Sequence, residues 1–177
     1  AGVPARQMVE DARTQAADLL GCAPQEIVFT SGGSEANNHA LKGVYFASGK
    51  DRPHFVTSSA EHPAIVAPLR FLEGLGARVT WLPVDGTGLV DPDDLRRDAA
   101  QSVGKIPTRV DDLGVDLLTM AGHKFHAPKG VGALFIRDGL QLEPFIHGAG
   151  HESGRRAGTE SAMLTAALGV AASLSAD

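Results

Sequence analysis

The chain has one cysteine, Cys22, one tryptophan and one tyrosine among its 177 residues. A single cysteine excludes an intrachain disulfide and points to a reduced setting such as the cytoplasm. No apolar run reaches the ~20 residues that a membrane-spanning helix needs. Acidic residues outnumber basic ones by 21 to 16, for a formal charge of -5. That balance argues against nucleic acid or an anionic membrane as the main partner. There is no internal repeat, no low-complexity stretch and no recognisable secretory leader. The first residue is not Met, so the start is read as internal to a longer protein. No metal site is expected either. His147 and His151 have a spacing that suits helical ligands, but Gly-Ala-Gly lies between them, and two ligands fall short of the three or four that zinc takes.

What is present is organised around Ala121-Gly122-His123-Lys124-Phe125-His126, flanked by apolar runs at 115–120 and 131–136. Both runs are rich in Val, Leu and Ile and short enough to be buried strands. A lysine at the mouth of a buried strand is expected to be poorly solvated, which disfavours its charged form. Such a lysine suits Schiff-base chemistry with an aldehyde. A surface lysine in a loop is the plain alternative.

Residues 4–20 have the periodicity of an amphipathic helix, with Gly21 placed to stop it. Residues 27–30 suit a strand, followed by Ser31-Gly32-Gly33-Ser34-Glu35 and a helical run to Ala47. Strand, Gly-rich turn and helix together present free backbone N–H groups to an anion. Gly33 lets the backbone approach it, and Ser34 adds a hydroxyl. An ordinary capped helix start reads equally well. Residues 54–59 suit a second strand, ending in a polar turn with His62 and a helix-starting Pro63. If the strands are parallel, His62 lies beside the Gly-rich turn, at the edge where open α/β sheets bind ligands. Its imidazole could stack on a flat ring or shuttle protons; a helix-terminal His without a ligand is the alternative. A third strand is expected at 78–84 and a capped helix start at 91–95. Residues 96–102 could be one surface helix. Residues 147–160 are Gly-rich, polar and long enough to be functional, and 161–174 read as a helix. The alternation predicts an α/β domain with a mainly parallel or mixed sheet sandwiched by helices. The polar turns and Lys124 would then share one edge.

Taken together, these residues resemble the cysteine desulfurases and selenocysteine lyases that use pyridoxal 5'-phosphate (PLP). These form the class V branch of the fold type I aminotransferases. Five stretches carry the likeness, in family order: 29–38 (FTSGGSEANN), 59–63 (SAEHP), 98–105 (DAAQSVGK), 122–130 (GHKFHAPKG) and 148–159. The resemblance implies the large PLP-binding domain of that fold. It implies that Lys124 attaches PLP and moves the substrate Cα proton, and that His62 stacks on the pyridine ring and assists acid–base steps. Asp98 would pair with the pyridine nitrogen and Gln101 with the phenolic oxygen. Gly33, Ser34 and His123 would hold the phosphate, and Thr159 would reach the phosphate of a neighbouring subunit, so a homodimer is implied. The implied substrate is L-cysteine. The products are L-alanine and a persulfide on an enzyme cysteine, for a sulfur-acceptor or scaffold protein as in iron–sulfur cluster assembly. A selenocysteine lyase, or another class V lyase or aminotransferase, is the near alternative. A catalytically inactive relative acting as a partner or scaffold is the non-enzymatic one.

The sequence departs from the family in three ways. Ala121 stands where the family often has Ser or Thr, so one phosphate contact is lost. Arg97 abuts Asp98 where the family has a longer stretch, at least a βαβ unit of ~30 residues. The family's C-terminal small domain, with its mobile catalytic cysteine, is absent. Residues 1–177 are therefore read as a partial large domain interrupted at 97/98, inactive by itself. Cys22 does not match the mobile cysteine and is read as a small structural residue.

Overall fold

The structure, a computed structural model, describes residues 2–49, 53–88 and 109–176. Its centre is a three-stranded sheet of β1 (Ile27–Thr30), β4 (Leu117–Ala121) and β5 (Gly132–Ile136), in the order β1-β5-β4. Every residue of β1 and β5 is buried, because helices cover both faces. Ile27, Phe29, Leu118, Met120, Ala133 and Phe135 face α1 (Val3–Leu20) and α5 (Ala162–Ala176), where Ala12, Ala16, Leu168 and Ala172 meet them. Val28, Leu134 and Ile136 face Ala36 and Ala40 of α2 (Gly33–Ala47) on the other side. Covering both faces removes the polar alternation of a half-exposed sheet, which is why these strands read as unbroken apolar runs. Each fully buried Leu, Ile or Phe contributes about 1.5–3 kcal/mol relative to exposure.

The mixed sheet expected from sequence is present, with a different balance of directions. β5 runs antiparallel to both neighbours, with Thr30 opposite Gly132 on one side and Ala121 opposite Gly132 on the other. The link from β4 to β5, residues 122–131, is shorter than the dozen or more residues of a parallel crossover, so the chain must turn straight back. The parallel pairing described is between β2 (His54–Ser58) and β3 (Arg78–Leu82), joined through α3 (Pro63–Gly74) as a second, two-stranded sheet. A single turn, α4 (Val110–Leu113), precedes β4.

The register decides the site. β1 and β4 run the same way on either side of β5, so both end level with Gly132. The Gly-rich turn and the lysine turn therefore leave the sheet at the same edge, as the sequence predicted.

Candidate active site

At the first turn, β1 passes into α2 through Ser31 and Gly32. Gly32 is the N-cap at φ 146°, ψ -179°, a region open only to glycine. The turn's own groups are tied down. Thr30 Oγ1 donates to Gly32 O at 3.1 Å and accepts from its amide at 3.4 Å. Ser31 donates both its amide, at 2.9 Å, and its hydroxyl, at 2.5 Å, to Glu35 Oε2. The first helical hydrogen bond runs from the Ala36 amide to Gly32 O. The amides of Gly33, Ser34 and Glu35 are the donors a helix start leaves over, at its positive end.

The second turn packs against the first. A Cβ on Gly33 would lie 2.9 Å from Ala121 Cβ, and one on Gly132 would lie 2.8 Å from Gly32 Cα. Glycine at both positions lets the anion-binding turn rest directly on the ends of β4 and β5. After Ala121 the chain makes a 3-10 turn, Gly122–Phe125. Gly122 and Phe125 point inward, while His123 and Lys124 are exposed. This corrects one expectation: the flanking strands do not desolvate Lys124. A 3-10 turn places side chains three apart on one face, so burying positions 122 and 125 turns 124 outward.

His62 caps α3, its Nδ1 accepting from the Ala64 amide at 3.0 Å. That bond leaves Nε2 as the open nitrogen. His62 is exposed and sits at the end of β2, in the second sheet, and no hydrogen bond of the described residues joins it to the lysine turn. Asp98 and Gln101 lie outside the described residues. Thr159 is exposed, on a segment whose anchoring the sequence did not reveal.

Two ion pairs provide that anchoring. Glu152, fully buried, takes two hydrogen bonds of 2.8 Å from Arg13 of α1 and a third of 2.8 Å from the Phe29 amide. Glu152 and Ser153 are held at φ 49° and 57°, where L-residues are strained. Arg156 grips Glu35 with Nε at 2.7 Å and Nη2 at 3.1 Å. Burial works against the Glu35 charge, but hydrogen bonds from Arg156 and Ser31 hold its carboxyl below the usual range. Charged residues with no periodic pattern gave no sequence signal for either pairing; Glu35, Glu152 and Arg156 lie inside family-like motifs, whereas Arg13 lies in none. His39, one turn beyond Glu35, is fully buried with neither ring nitrogen hydrogen-bonded. Burial lowers its pKa, Glu35 opposes the shift, and Arg155 and Arg156 add to it.

Cys22 is half-buried. Burial, with Glu26 and Asp111 nearby, pushes its thiol up to about 12, in line with a structural role. A cavity of about 530 Å³ opens between α2, α3 and residues 143–147, lined by Lys42, Phe46, Phe71 and Phe145 among others. None of the described candidate site residues lines it. His147 stands 4.0 Å from Glu143, and His151 Nδ1 accepts the Gly158 amide at 3.3 Å.

The edge as built fits a phosphate ester that also carries an aldehyde. Helix-start amides and a hydroxyl suit the ester, and an exposed amine three residues past Ala121 suits the aldehyde.

Known proteins resemble this chain in sequence and fold. The sequence profile of the Aminotransferase class-V family matches residues 1–97 and 95–176. The chain is 41% identical to the "Cysteine desulfurase IscS" of Dictyoglomus turgidum over 213 aligned positions, covering 98% of this chain and 54% of the relative. It is 38% identical to the "Cysteine desulfurase, mitochondrial" of Drosophila melanogaster, covering 94% and 45%. Among solved structures, "SspA in complex with cysteine" superposes with a TM-score of 0.89 at 36% identity, covering 96% of this chain and 61% of that one. A "NIFS-LIKE PROTEIN" gives 0.88 at 31%, covering 98% and 59%. The chain thus spans about half the length of the curated relatives it matches. The alignment to the Dictyoglomus protein has more positions than the chain has residues, and the profile match restarts at 95–97. The relatives therefore carry residues without a counterpart in this sequence.

Proposed function

The chain belongs to the aminotransferase class-V family, and from that premise we propose that residues 1–177 form a PLP-binding domain of a cysteine desulfurase. The observation that carries the reading is the meeting of two turns at one sheet edge. The free amides of α2 and the turn bearing Lys124 are held together by the Gly33–Ala121 contact. In this reading the amides of Gly33 and Ser34, the Ser34 hydroxyl and His123 bind the phosphate. Lys124 would hold the cofactor aldehyde and would take the proton from the substrate Cα. His62 covers the ring face and handles protons through Nε2, because Nδ1 is engaged by Ala64. Asp98 holds the proton of the pyridine nitrogen, and Gln101 donates to the phenolic oxygen. Bound PLP supplies the electron sink for the Cα carbanion.

The products are L-alanine and a persulfide for a sulfur-acceptor or scaffold protein. The persulfide cysteine belongs to a part of the enzyme outside this sequence. Thr159 serves the phosphate of a second copy, so the working unit is a homodimer. A cytoplasmic setting accords with the single cysteine and with the fact that no described helix is long and apolar enough to cross a membrane; the Drosophila relative named mitochondrial is of the same family.

Titration of the protein with PLP tests the reading. A visible absorbance band of lysine-bound cofactor should grow with PLP and resist dialysis. It should be lost in Lys124→Ala. An unchanged spectrum in that variant overturns the assignment. The residues lacking beside Asp98 favour a second reading of the chain as it stands, a relative that binds cofactor without turnover. Cofactor binding with no alanine release from cysteine, in a longer protein that carries the persulfide cysteine, would select it.

A further inference from the structure

The first turn of α2 contains a difficulty for an anion site: a carboxylate. Glu35 stands at the third helical position, next to the free amides of Gly33 and Ser34. There it favours the helix dipole and fixes the entry of the chain by holding Ser31, much as a capping box does. Left unpaired, it would repel a phosphate.

We infer that Arg156 is a positioning residue for the phosphate cradle that acts through Glu35, cancelling and orienting that carboxylate instead of touching the anion. Both Glu35 oxygens are engaged: Oε1 by Arg156 Nε, Oε2 by Arg156 Nη2 and Ser31. The pair is shielded, with side-chain exposures of 17% for Arg156 and 9% for Glu35, so water screens it little. The guanidinium is already spent on this contact. Its remaining nitrogen, Nη1, lies back against its own segment, 3.1 Å from where a Gly158 Cβ would be. The groups around Glu35 are Arg156 of the 147–159 segment, Ser31 before the helix and His39 one turn along it, while Glu152 and Glu160 also face Arg156. Arg156 is also three residues from Thr159, so one ion pair sets the cradle of this chain and the segment proposed to reach a neighbour's.

The inference rests on the cofactor reading for its physiological ligand, but inorganic phosphate tests it independently. Calorimetric titration of the 177-residue protein with phosphate, and spectroscopic titration with PLP, would be run from pH 5 to pH 8. Arg156→Gln should weaken both ligands at least tenfold at pH 8. Without Arg156, burial pushes the Glu35 carboxyl up, so the deficit should shrink toward pH 5 as the carboxylate begins to take up a proton. Glu35→Gln should bind within about threefold of the parent. The double variant Glu35→Gln/Arg156→Gln should recover most of the loss. Arg156→Lys, which keeps the charge, should fall between parent and Arg156→Gln. Circular dichroism melts identify any variant that fails to fold. If Arg156→Gln alone unfolds, the double variant and Arg156→Lys carry the comparison. A folded double variant that still binds tenfold weaker than the parent overturns the inference, because Arg156 then serves the anion directly. Parent-like binding by Arg156→Gln also overturns it. If the parent binds phosphate but not PLP, the cofactor reading fails while the phosphate comparison stands; if it binds neither, both fail.

Discussion

Arg13 of α1 and Glu152, 139 positions later in the sequence, meet in a two-point ion pair against the outer edge of β1. β5 pairs with the other edge. Arg13 Nη1 donates to Ile27 O at 2.8 Å, and the Phe29 amide donates to Glu152. Among the described residues no strand pairs with this edge, and the ion pair supplies hydrogen bonds of the kind a neighbouring strand would give. Glu152→Ala would leave the buried Phe29 amide unpaired and the buried Arg13 guanidinium with only the half-exposed Glu10 carboxylate and the Ile27 carbonyl as partners. A loss of about 3–5 kcal/mol in unfolding free energy is expected, with a smaller loss for Glu152→Gln. Urea denaturation measures it; a loss below ~1 kcal/mol would mean the edge is held otherwise.

Ala121 packs against Gly33 beside the free amides of α2, and in the proposed cofactor reading a hydroxyl at this position would reach the phosphate. Ala121→Ser should tighten phosphate and PLP binding by about 1.5–3 kcal/mol, the value of a hydrogen bond to a charged group. Calorimetry reads this directly. Equal or weaker binding would show that position 121 does not face the anion.

His39 gives the fold a pH dependence with a definite sign. In the unfolded chain it titrates near 6.5, and burial lowers that value in the fold. Between the two values the unfolded state holds more protons, so His39 makes the fold less stable as pH drops below about 6.5. Glu35 counteracts the effect, and Arg155 and Arg156 reinforce it. His39→Leu also removes two buried, unpaired nitrogens. It should raise stability by about 1–3 kcal/mol at pH 7 and by more at pH 5. Denaturation midpoints that keep the parent's decline between pH 7 and pH 5 would assign the effect to another group.

The 177-residue protein should release neither alanine nor sulfide from cysteine beyond the background of free PLP. Sulfur transfer needs a thiolate, and the one thiol here is held near 12 by burial and neighbouring carboxylates. Cys22→Ser should change nothing in that assay. Activity that disappears in Cys22→Ser would make this cysteine catalytic.

The sequence by itself determined the local elements. The 27–30 strand is observed with the predicted bounds, and those at 54–58 and 78–82 and the helix after Gly32 fall within a residue or two of expectation. Apolar periodicity, Gly21 as a stop and Pro63 as a start act over a few residues, so they are legible without the fold. The family motifs were legible for the same reason, and the shared edge of Gly33 and Lys124 followed from the alternation of strands and helices. Asp98 and Gln101, assigned by motif, lie outside the described residues. Only the tertiary structure decided which groups pair across the chain. Glu35 with Arg156 and Arg13 with Glu152 are separated by 121 and 139 positions, and charge carries no range or direction in a sequence. The outward turn of Lys124 was equally hidden, because the inward packing of Gly122 and Phe125 sets it. Antiparallel β5 was decided the same way: a short link could return only beside β4, and β1 found its place on the other side.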